Sequence, residues 1–360
     1  MISACAALAS AFKPATWETV HREVTISTRI AINGFGRIGR LAMRVAHTMP
    51  ELDVVHVNEI AGDVASAAHL LTFDSTQGTW GIDVDVAKGG LIVDGVAVTY
   101  SSNSAIHQTP WQDLGADVVV DCTGRFKTVE ALQPYLQKGV KKVVVSAPVK
   151  EQALNVVMGV NDALYDPLRH DIVSAASCTT NCIAPVIKVL HEKFVVEHGL
   201  ITTIHDVTNT QSVLDNFHKD LRRARASGVS LIPTSTGSAT AITEIFPDLK
   251  GKLDGIAVRV PIANASLADC VFELANSVTS EEVNEALQAA AEGELSGILG
   301  VEHRPLVSVD YLGDPRSGVV DALSTRVVNN RQVKVLVWYD NEMGYVHRMM
   351  ELARKICSAI

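Results

Sequence analysis

Arg29-Ile30-Ala31-Ile32-Asn33-Gly34-Phe35-Gly36-Arg37-Ile38-Gly39-Arg40 opens the folded part of this 360-residue chain and sets its fold class. Residues 29–32 read as a short buried strand, and a helix is expected through about His47. Between them lies G-x-G-x-x-G, a pattern that says little alone and much more with a strand before it and a helix after it. Glycines at 34 and 36 permit a tight turn and the close approach of a pyrophosphate, while Gly39 lets the helix pack on the strand. The phosphates would rest on the helix N-terminus.

The chain continues in the same alternating style. Leu52–Val57 reads as a second strand, ending at Asn58-Glu59. Glu59 lies about 20 residues beyond the last glycine, where an acid accepts hydrogen bonds from an adenosine ribose and repels a 2′-phosphate. NAD is therefore expected over NADP; the plain alternative is a solvated loop acid. Strand-like runs recur at Leu91–Val98, Val118–Val120 and Val143–Val145, with a helical pattern at Val129–Lys138. This alternation indicates a parallel α/β sheet, with Thr123 and Gly124 at a strand's carboxyl end beside the cofactor.

Composition bounds the remaining choices. The length suits roughly two domains. A hydrophobic fraction of 47%, a charged fraction of 20% and a net charge of −9 fit a globular protein and argue against nucleic acid or an acidic membrane as partner. Six cysteines, at 5, 122, 178, 182, 270 and 357, show neither metal-ligand spacing nor scaffold density, so a reducing, cytoplasmic setting with free thiols and no metal is expected. No apolar run reaches the length of a membrane span. Residues 1–28 make a poor signal or transit peptide and read as a disordered extension or a misplaced start.

Ser177-Cys178-Thr179-Thr180-Asn181-Cys182 puts a thiol where a helix begins. Asp171–Ala176 before it reads as a strand, and Ile183, Val186, Ile187 and Leu190 after it recur at helical spacing. Capping oxygens, free backbone N–H groups and the helix dipole all favour an anion there, so Cys178 is either an activated nucleophile or a small buried core residue. Cys182, one turn later, reads as packing. Ile201–Ile204 is a strand ending at His205, 27 residues after Cys178. Histidine suits proton exchange near neutrality, and a Cys–His pair activates a thiol, although spacing alone allows a structural histidine equally well.

Three further segments offer anion contacts. Lys219–Arg225 carries three arginines and is either a solvated basic helix face or the source of an inward phosphate ligand. Thr234–Ser238 is a hydroxyl- and glycine-rich turn before a helical run, Ala239–Ile245. Arg259 lies in an apolar strand, Ile256–Pro261, where it needs an anionic partner, be it a buried salt bridge or a ligand.

Across about 29–360 the chain resembles the phosphorylating glyceraldehyde-3-phosphate dehydrogenase family. The matching blocks are INGFGRIGR (32–40), SAASCTTNCIAPV (174–186), TTIH (202–205), KDLRRARA (219–226), IPTSTGSA (232–239), AVRVP (257–261) and WYDNE-x-GY (338–345). The resemblance implies a Rossmann-type NAD unit at 29–177, completed by a C-terminal helix at 341–360, and an α+β catalytic unit at 178–340 with a mostly antiparallel sheet. It implies Cys178 as nucleophile and His205 as base. Thr208 and Arg259 match positions that hold the substrate phosphate; Ser177, Thr179, Arg223, Thr236 and Gly237 match those that hold the attacking inorganic anion. Gly34, Gly36, Arg37, Ile38, Gly39, Glu59, Thr123, Asn341 and Tyr345 fall at cofactor positions, with Asn341 on the nicotinamide amide. A homotetramer, with 206–230 near the subunit core, is also implied.

The chain departs from the family pattern at four places. Glu59 stands for a more usual aspartate, Asn216-Phe217 for a Leu-Pro pair beside the ribose, Asp206-Val207 for smaller or aromatic residues after the histidine, and Met343 for a tryptophan. HVNEIAGD (56–63), HDVTNTQ (205–211) and NEMGY (341–345) are similar to the branch associated with arsenic resistance. That similarity implies arsenate in place of phosphate as acceptor, giving 1-arseno-3-phosphoglycerate. The competing readings are an ordinary glycolytic enzyme, an erythrose-4-phosphate dehydrogenase, or an NAD-binding redox sensor without turnover.

Overall fold

The computed structural model describes residues 27–150 and 153–360. The expected extension falls almost wholly on residues 1–26, outside the described residues. The first strand begins at Thr28, one residue before the expected start, because the Thr28 N–H donates to the Glu51 carbonyl at 2.8 Å.

The first half runs β1 (Thr28–Asn33), α1 (Arg37–Ala46), β2 (Leu52–Asn58), α2 (Val64–Thr72), β3 (Val84–Ala87), β4 (Gly90–Val93), β5 (Val96–Ser101), β6 (Val118–Asp121), α3 (Val129–Gln137), β7 (Lys142–Val145), β8 (Leu154–Asn155) and β9 (Ile172–Ser174). Among the described residues these strands form one sheet in the order β3-β4-β5-β2-β1-β6-β7-β9-β8. Its centre is parallel, as expected for strands joined by helical crossovers. The edge is not. Leu91–Val98, expected as one strand, is a hairpin of β4 and β5, because Asp94 and Gly95 both take positive φ (50° and 77°), the conformation of a two-residue hairpin turn.

Both faces of the sheet are buried, and side chains alternate between them with period two. Ile30, Ile32, Val118, Val120 and Val144 join one core; Ala31, Val119, Val143 and Val145 join the other, around Trp111 and Tyr135. Gly34 sits where β1 turns, at φ +88°, with the Cys122–Thr123 backbone 2.7 Å from any added Cβ. A Cβ on Gly39 would meet the Gly34 carbonyl oxygen at 2.0 Å, so α1 can lie this close to the loop only without a side chain there.

The second half follows as α4 (Cys178–Phe194), β10 (Val196–His205), β11 (Ile232–Ser235), α5 (Ser238–Ile245), β12 (Leu253–Arg259), β13 (Ser266–Leu274), α6 (Ser280–Glu292), β14 (Leu299–Glu302), β15 (Gly318–Asp321), β16 (Arg326–Val328), β17 (Gln332–Tyr339) and α7 (Met343–Cys357). Its sheet has the order β11-β12-β10-β13-β17-β15-β14, with β16 also on β17. Most pairs are antiparallel; β10–β12 and β14–β15 are parallel. β13 buries Ala268, Cys270, Phe272 and Leu274 on one face, and β17 buries Val333, Val335 and Val337, all against Ile183, Ile187 and Leu190 of α4. Lys219–Arg225, one reading of which was a helix face, forms turns instead. Helix α7 returns to the first sheet, where Val346, Met349, Leu352 and Ile356 enter the core beside α1. Each such fully buried side chain contributes about 1.5–3 kcal/mol. No helix among the described residues is long and apolar enough to cross a membrane.

Gly39→Ala should destabilise the first half by about 1–3 kcal/mol through this overpacking. A urea melt checks it: the midpoint falls, whereas an unchanged midpoint would show that α1 can shift to admit the methyl.

Candidate active site

Strand β9 passes into helix α4 through only three residues. Ala176 makes the corner at φ 56°, a left-handed conformation that a non-glycine residue adopts only when its surroundings hold it. They do so here. Asn181 Nδ2 donates to the Ala175 and Ser177 carbonyls at 2.9 Å, and the Tyr345 hydroxyl donates to the Ala176 carbonyl at 3.3 Å. Ser177 is the N-cap, its Oγ accepting from the Thr180 N–H at 3.1 Å. Cys178 is thus the first helical residue, and it packs against the hydrophobic cores of both sheets.

His205 ends β10, nearly buried, with Nε2 3.6 Å from the Cys178 sulfur. Its Nδ1 lies 2.5 Å from Oδ1 of Asp206, a carboxylate with 1% exposure. Burial opposes the charged imidazolium, but the Asp206 carboxylate and Cys178 outweigh it and raise the His205 pKa to about 9. Because the folded pKa lies above histidine's ordinary 6.5, the stability this charge contributes is full below about 6.5 and lost as pH rises through about 9.

Arg259 is in register with His205 on the adjacent strand β12. Its guanidinium donates to the Asp206 carbonyl at 2.9 Å, while its Nε is buried without a partner. That N–H is a donor with no acceptor among the described residues. Thr208, the other expected phosphate ligand, bonds Gln211 at 2.8 and 3.0 Å through its N–H and hydroxyl.

The expected residues of the second anion site are only partly brought together. Ser177 Oγ lies 3.3 Å from Ser238 Oγ, which also meets Thr236 Oγ1 at 3.1 Å, so the caps of α4 and α5 adjoin. Gly237 caps α5 with no side-chain hydrogen bond. Arg223 instead donates to Thr234 Oγ1 at 2.8 Å and faces Asp220. Thr179 is buried and meets the Tyr339 hydroxyl at 3.0 Å.

At the glycine loop a cavity of about 180 Å³ is lined by Gly34, Gly36, Glu59, Asn103, Thr123 and Phe126, among others. These residues fit a dinucleotide. The Cα of Gly36 faces open space, and α1 has neither a capping side chain nor an acid in its first turn, leaving the N–H groups near Arg37 and Ile38 to an anion. Glu59 is no loose acid: Oε2 accepts from the Phe35 N–H at 2.6 Å and Oε1 from Ile60 and Ala61 at 2.8 Å. Thr123 is pinned by Asp121 Oδ1 at 2.7 and 3.0 Å. The Arg37 side chain turns away, to Glu342 and Asp74. Asn341, next to Glu342, donates to Asp206 Oδ2 at 2.9 Å. The turn 340–342 therefore joins the glycine loop to the Cys–His pair.

Residues 28–129 match the family model described as glyceraldehyde 3-phosphate dehydrogenase, NAD binding domain, and 177–341 match the one described as its C-terminal domain. The chain belongs to the glyceraldehyde-3-phosphate dehydrogenase family. It is 58% identical over 336 residues to glyceraldehyde-3-phosphate dehydrogenase 3 of a Nostoc species, covering 93% of this chain and 100% of the relative. The glyceraldehyde-3-phosphate dehydrogenase of Geobacillus stearothermophilus is 49% identical over 333 residues, covering 92% and 99%. Glyceraldehyde-3-phosphate dehydrogenase 1 of Bacillus subtilis is 48% identical over 331 residues, covering 92% and 98%. As a member of the glyceraldehyde-3-phosphate dehydrogenase family, the chain is an NAD-dependent oxidoreductase.

Asp206, Ser266 and Tyr339 are the site residues that sequence reasoning did not assign. The signal for Asp206 was present as an unusual acid after the histidine, and Tyr339 lay inside the matching block 338–345 without a role; Ser266 comes from a distant strand and left none.

Burial pushes the other described thiols up: Cys122, Cys182 and Cys270 well above the ordinary cysteine value, Cys357 to about 12. Iodoacetamide at neutral pH should therefore modify Cys178 ahead of all four by roughly tenfold or more. Peptide mass mapping reads the order, and another of these thiols reacting first would contradict the site.

Proposed function

We propose that the chain oxidises glyceraldehyde 3-phosphate to an acyl phosphate through a thioester on Cys178. The observation that carries this is the pairing of Cys178, at a helix start, with a buried base 3.6 Å away and an unpaired arginine N–H beside it. The Cys178 thiolate adds to the aldehyde carbon, and the charge passes to the oxygen. The His205 Nε2–H and the N–H groups at the start of α4 receive that oxyanion, and His205 gives up its proton to make the hemithioacetal. The thiolate that helped hold the imidazolium is then consumed, so neutral His205 is ready to take the hydroxyl proton back. Bound NAD supplies the acceptor for the hydride that leaves with that step. The product is a thioester plus a protonated His205, which polarises the carbonyl for the incoming inorganic anion. Attack releases the acyl phosphate and restores the thiolate.

Arg259 and Thr208 are proposed to hold the substrate phosphate, and Ser177, Thr179, Arg223, Thr236 and Gly237 the attacking anion. For Arg223 this requires exchange of its Thr234 and Asp220 contacts, and for Thr208 release of Gln211. At the cofactor, Gly34, Gly36, Arg37, Ile38 and Gly39 supply backbone around the pyrophosphate, Glu59 and Thr123 face the adenosine side, and Asn341 holds the nicotinamide amide. Tyr345 supports the Cys178 turn rather than offering its hydroxyl. The working division is 29–177 with 341–360 against 178–340, supported by the burial of α7 in the first core.

A homotetramer is supported by Val213, Leu214, Phe217, Leu221, Val229 and Leu231, which stand exposed along one segment, Phe217 completely. Free thiols are in keeping with the cytoplasm. Phosphate is the ordinary acceptor. The arsenate-linked role rests on the motifs at 56–63, 205–211 and 341–345, and the two anions share shape and charge.

Initial rates of NADH formation test the reading. Turnover should require phosphate or arsenate, favour glyceraldehyde 3-phosphate over erythrose 4-phosphate, and favour NAD over NADP in kcat/KM. Arg259→Leu should raise KM for the substrate by about tenfold or more. Turnover independent of either anion would overturn the proposal; equal rates with both anions at matched low concentration would remove the case for an arsenate specialist.

A further inference from the structure

Asp206 follows the base directly and is almost wholly buried, a placement that costs several kcal/mol unless every oxygen is paired. It is paired throughout. Oδ1 meets His205 Nδ1 at 2.5 Å and the Ser266 hydroxyl at 3.2 Å; Oδ2 accepts from Asn341 Nδ2 at 2.9 Å; and the Asp206 N–H donates to Ser266 Oγ at 3.2 Å. The groups facing His205 are Cys178 of α4, its neighbour Asp206, Arg259 of β12, and Tyr339 of β17 with its ring edge-on at 6.0 Å; Ser266 of β13 and Asn341 beyond β17 face Asp206 instead. Cys178 and Asp206 are the acids among them, and Arg259 is the cation.

This arrangement fixes two choices that the ring and the amide would otherwise leave open. Nδ1 faces two acceptors of Asp206, the carboxylate Oδ1 at 2.5 Å and the backbone carbonyl at 3.0 Å, which together place the proton on Nδ1, so Arg259, 2.7 Å from that nitrogen, directs its N–H to the same carbonyl. The Nε2 side is then the one that exchanges a proton with the substrate. Likewise, a carboxylate facing Asn341 requires its NH2 end there and turns its oxygen to Ser266 Oγ, 3.2 Å away, whose single proton serves either this oxygen or Asp206 Oδ1 at one time.

We propose that Asp206 is a positioning residue that extends the Cys178–His205 pair to a linked triad and, through its second oxygen, locks Asn341, so that one carboxylate sets both the base and the nicotinamide-side amide. The proposal rests on the reading of Cys178 and His205 as nucleophile and base. Asp206→Asn retains an oxygen for Nδ1–H, but its NH2 then opposes the Asn341 NH2, donor to donor. Asp206→Ser removes both carboxylate contacts and keeps the backbone carbonyl, 3.0 Å from Nδ1, so it isolates what the carboxylate adds.

The test is the pH profile of iodoacetamide inactivation of the enzyme without substrate, for wild type, Asp206→Asn, Asp206→Ser and His205→Asn, with near-ultraviolet circular dichroism as the check of folding. Wild type should show two steps that belong to the coupled pair. The upper, absent in His205→Asn, should fall by at least about one pH unit in both Asp206 variants. Single-turnover hydride transfer should slow by about tenfold or more at pH 7 in the same variants. Folded Asp206 variants with the wild-type upper step would overturn the Asp206 role while leaving the pair intact. A wild-type profile unchanged by His205→Asn would overturn both. Should Asp206→Asn not fold, Asp206→Ser alone carries the comparison.

Discussion

The turn from β9 into α4 is the constraint on which the rest depends. Three residues reverse the chain, and the corner holds Ala176 in a left-handed conformation. The strain is tolerated because Asn181, Ser177 and Tyr345 clamp the corner from the helix interior, the cap and the C-terminal helix. The result is a thiol at a helix N-terminus, on the seam between two hydrophobic cores. Each core supplies one half of the proposed chemistry: the first sheet the dinucleotide loop, the second sheet His205 and Arg259. Neither half alone would place a hydride acceptor beside a thiol.

A second device ties the halves together. Arg37, from the glycine loop, is held by Glu342; Asn341, one residue before it, is held by Asp206; and Asp206 faces His205. The path from cofactor loop to base is therefore a chain of charge-assisted contacts through one three-residue turn. Such contacts are strong in a low-dielectric interior and costly when a member is lost. The buried carboxylate is accepted there because its oxygens are matched by donors from separate elements, an arrangement that also fixes geometry.

Much of this was legible in the sequence, and what was not has a physical reason. The strand, glycine loop and helix at 28–46 follow from local pattern, and Ser177 as a cap follows from its side chain. His205 at a strand end was readable, but its partner was not decided by spacing, since the 3.6 Å contact to Cys178 depends on how α4 packs on β10. Leu91–Val98 reads as one strand on its apolar content alone, although Asp94-Gly95 is the dipeptide that a two-residue hairpin turn with two positive φ values favours. The Arg37 side chain was expected near the cofactor, yet its partners lie 37 and 305 residues away and leave no local trace. Lys219–Arg225 has helical composition, but Asp220 captures the Arg222 and Arg223 N–H groups and Thr234, fixing a turn.

The central claim is that Cys178 carries the acyl group as a thioester between hydride transfer and anion attack. The direct measurement is intact-protein and peptide mass spectrometry of enzyme mixed with NAD and glyceraldehyde 3-phosphate, with phosphate and arsenate removed, and acid-quenched within one turnover. A phosphoglyceryl adduct on the Cys178 peptide, formed together with a stoichiometric burst of NADH and lost on adding phosphate, is the predicted result. A full burst with no adduct, or an adduct on another residue, would contradict it.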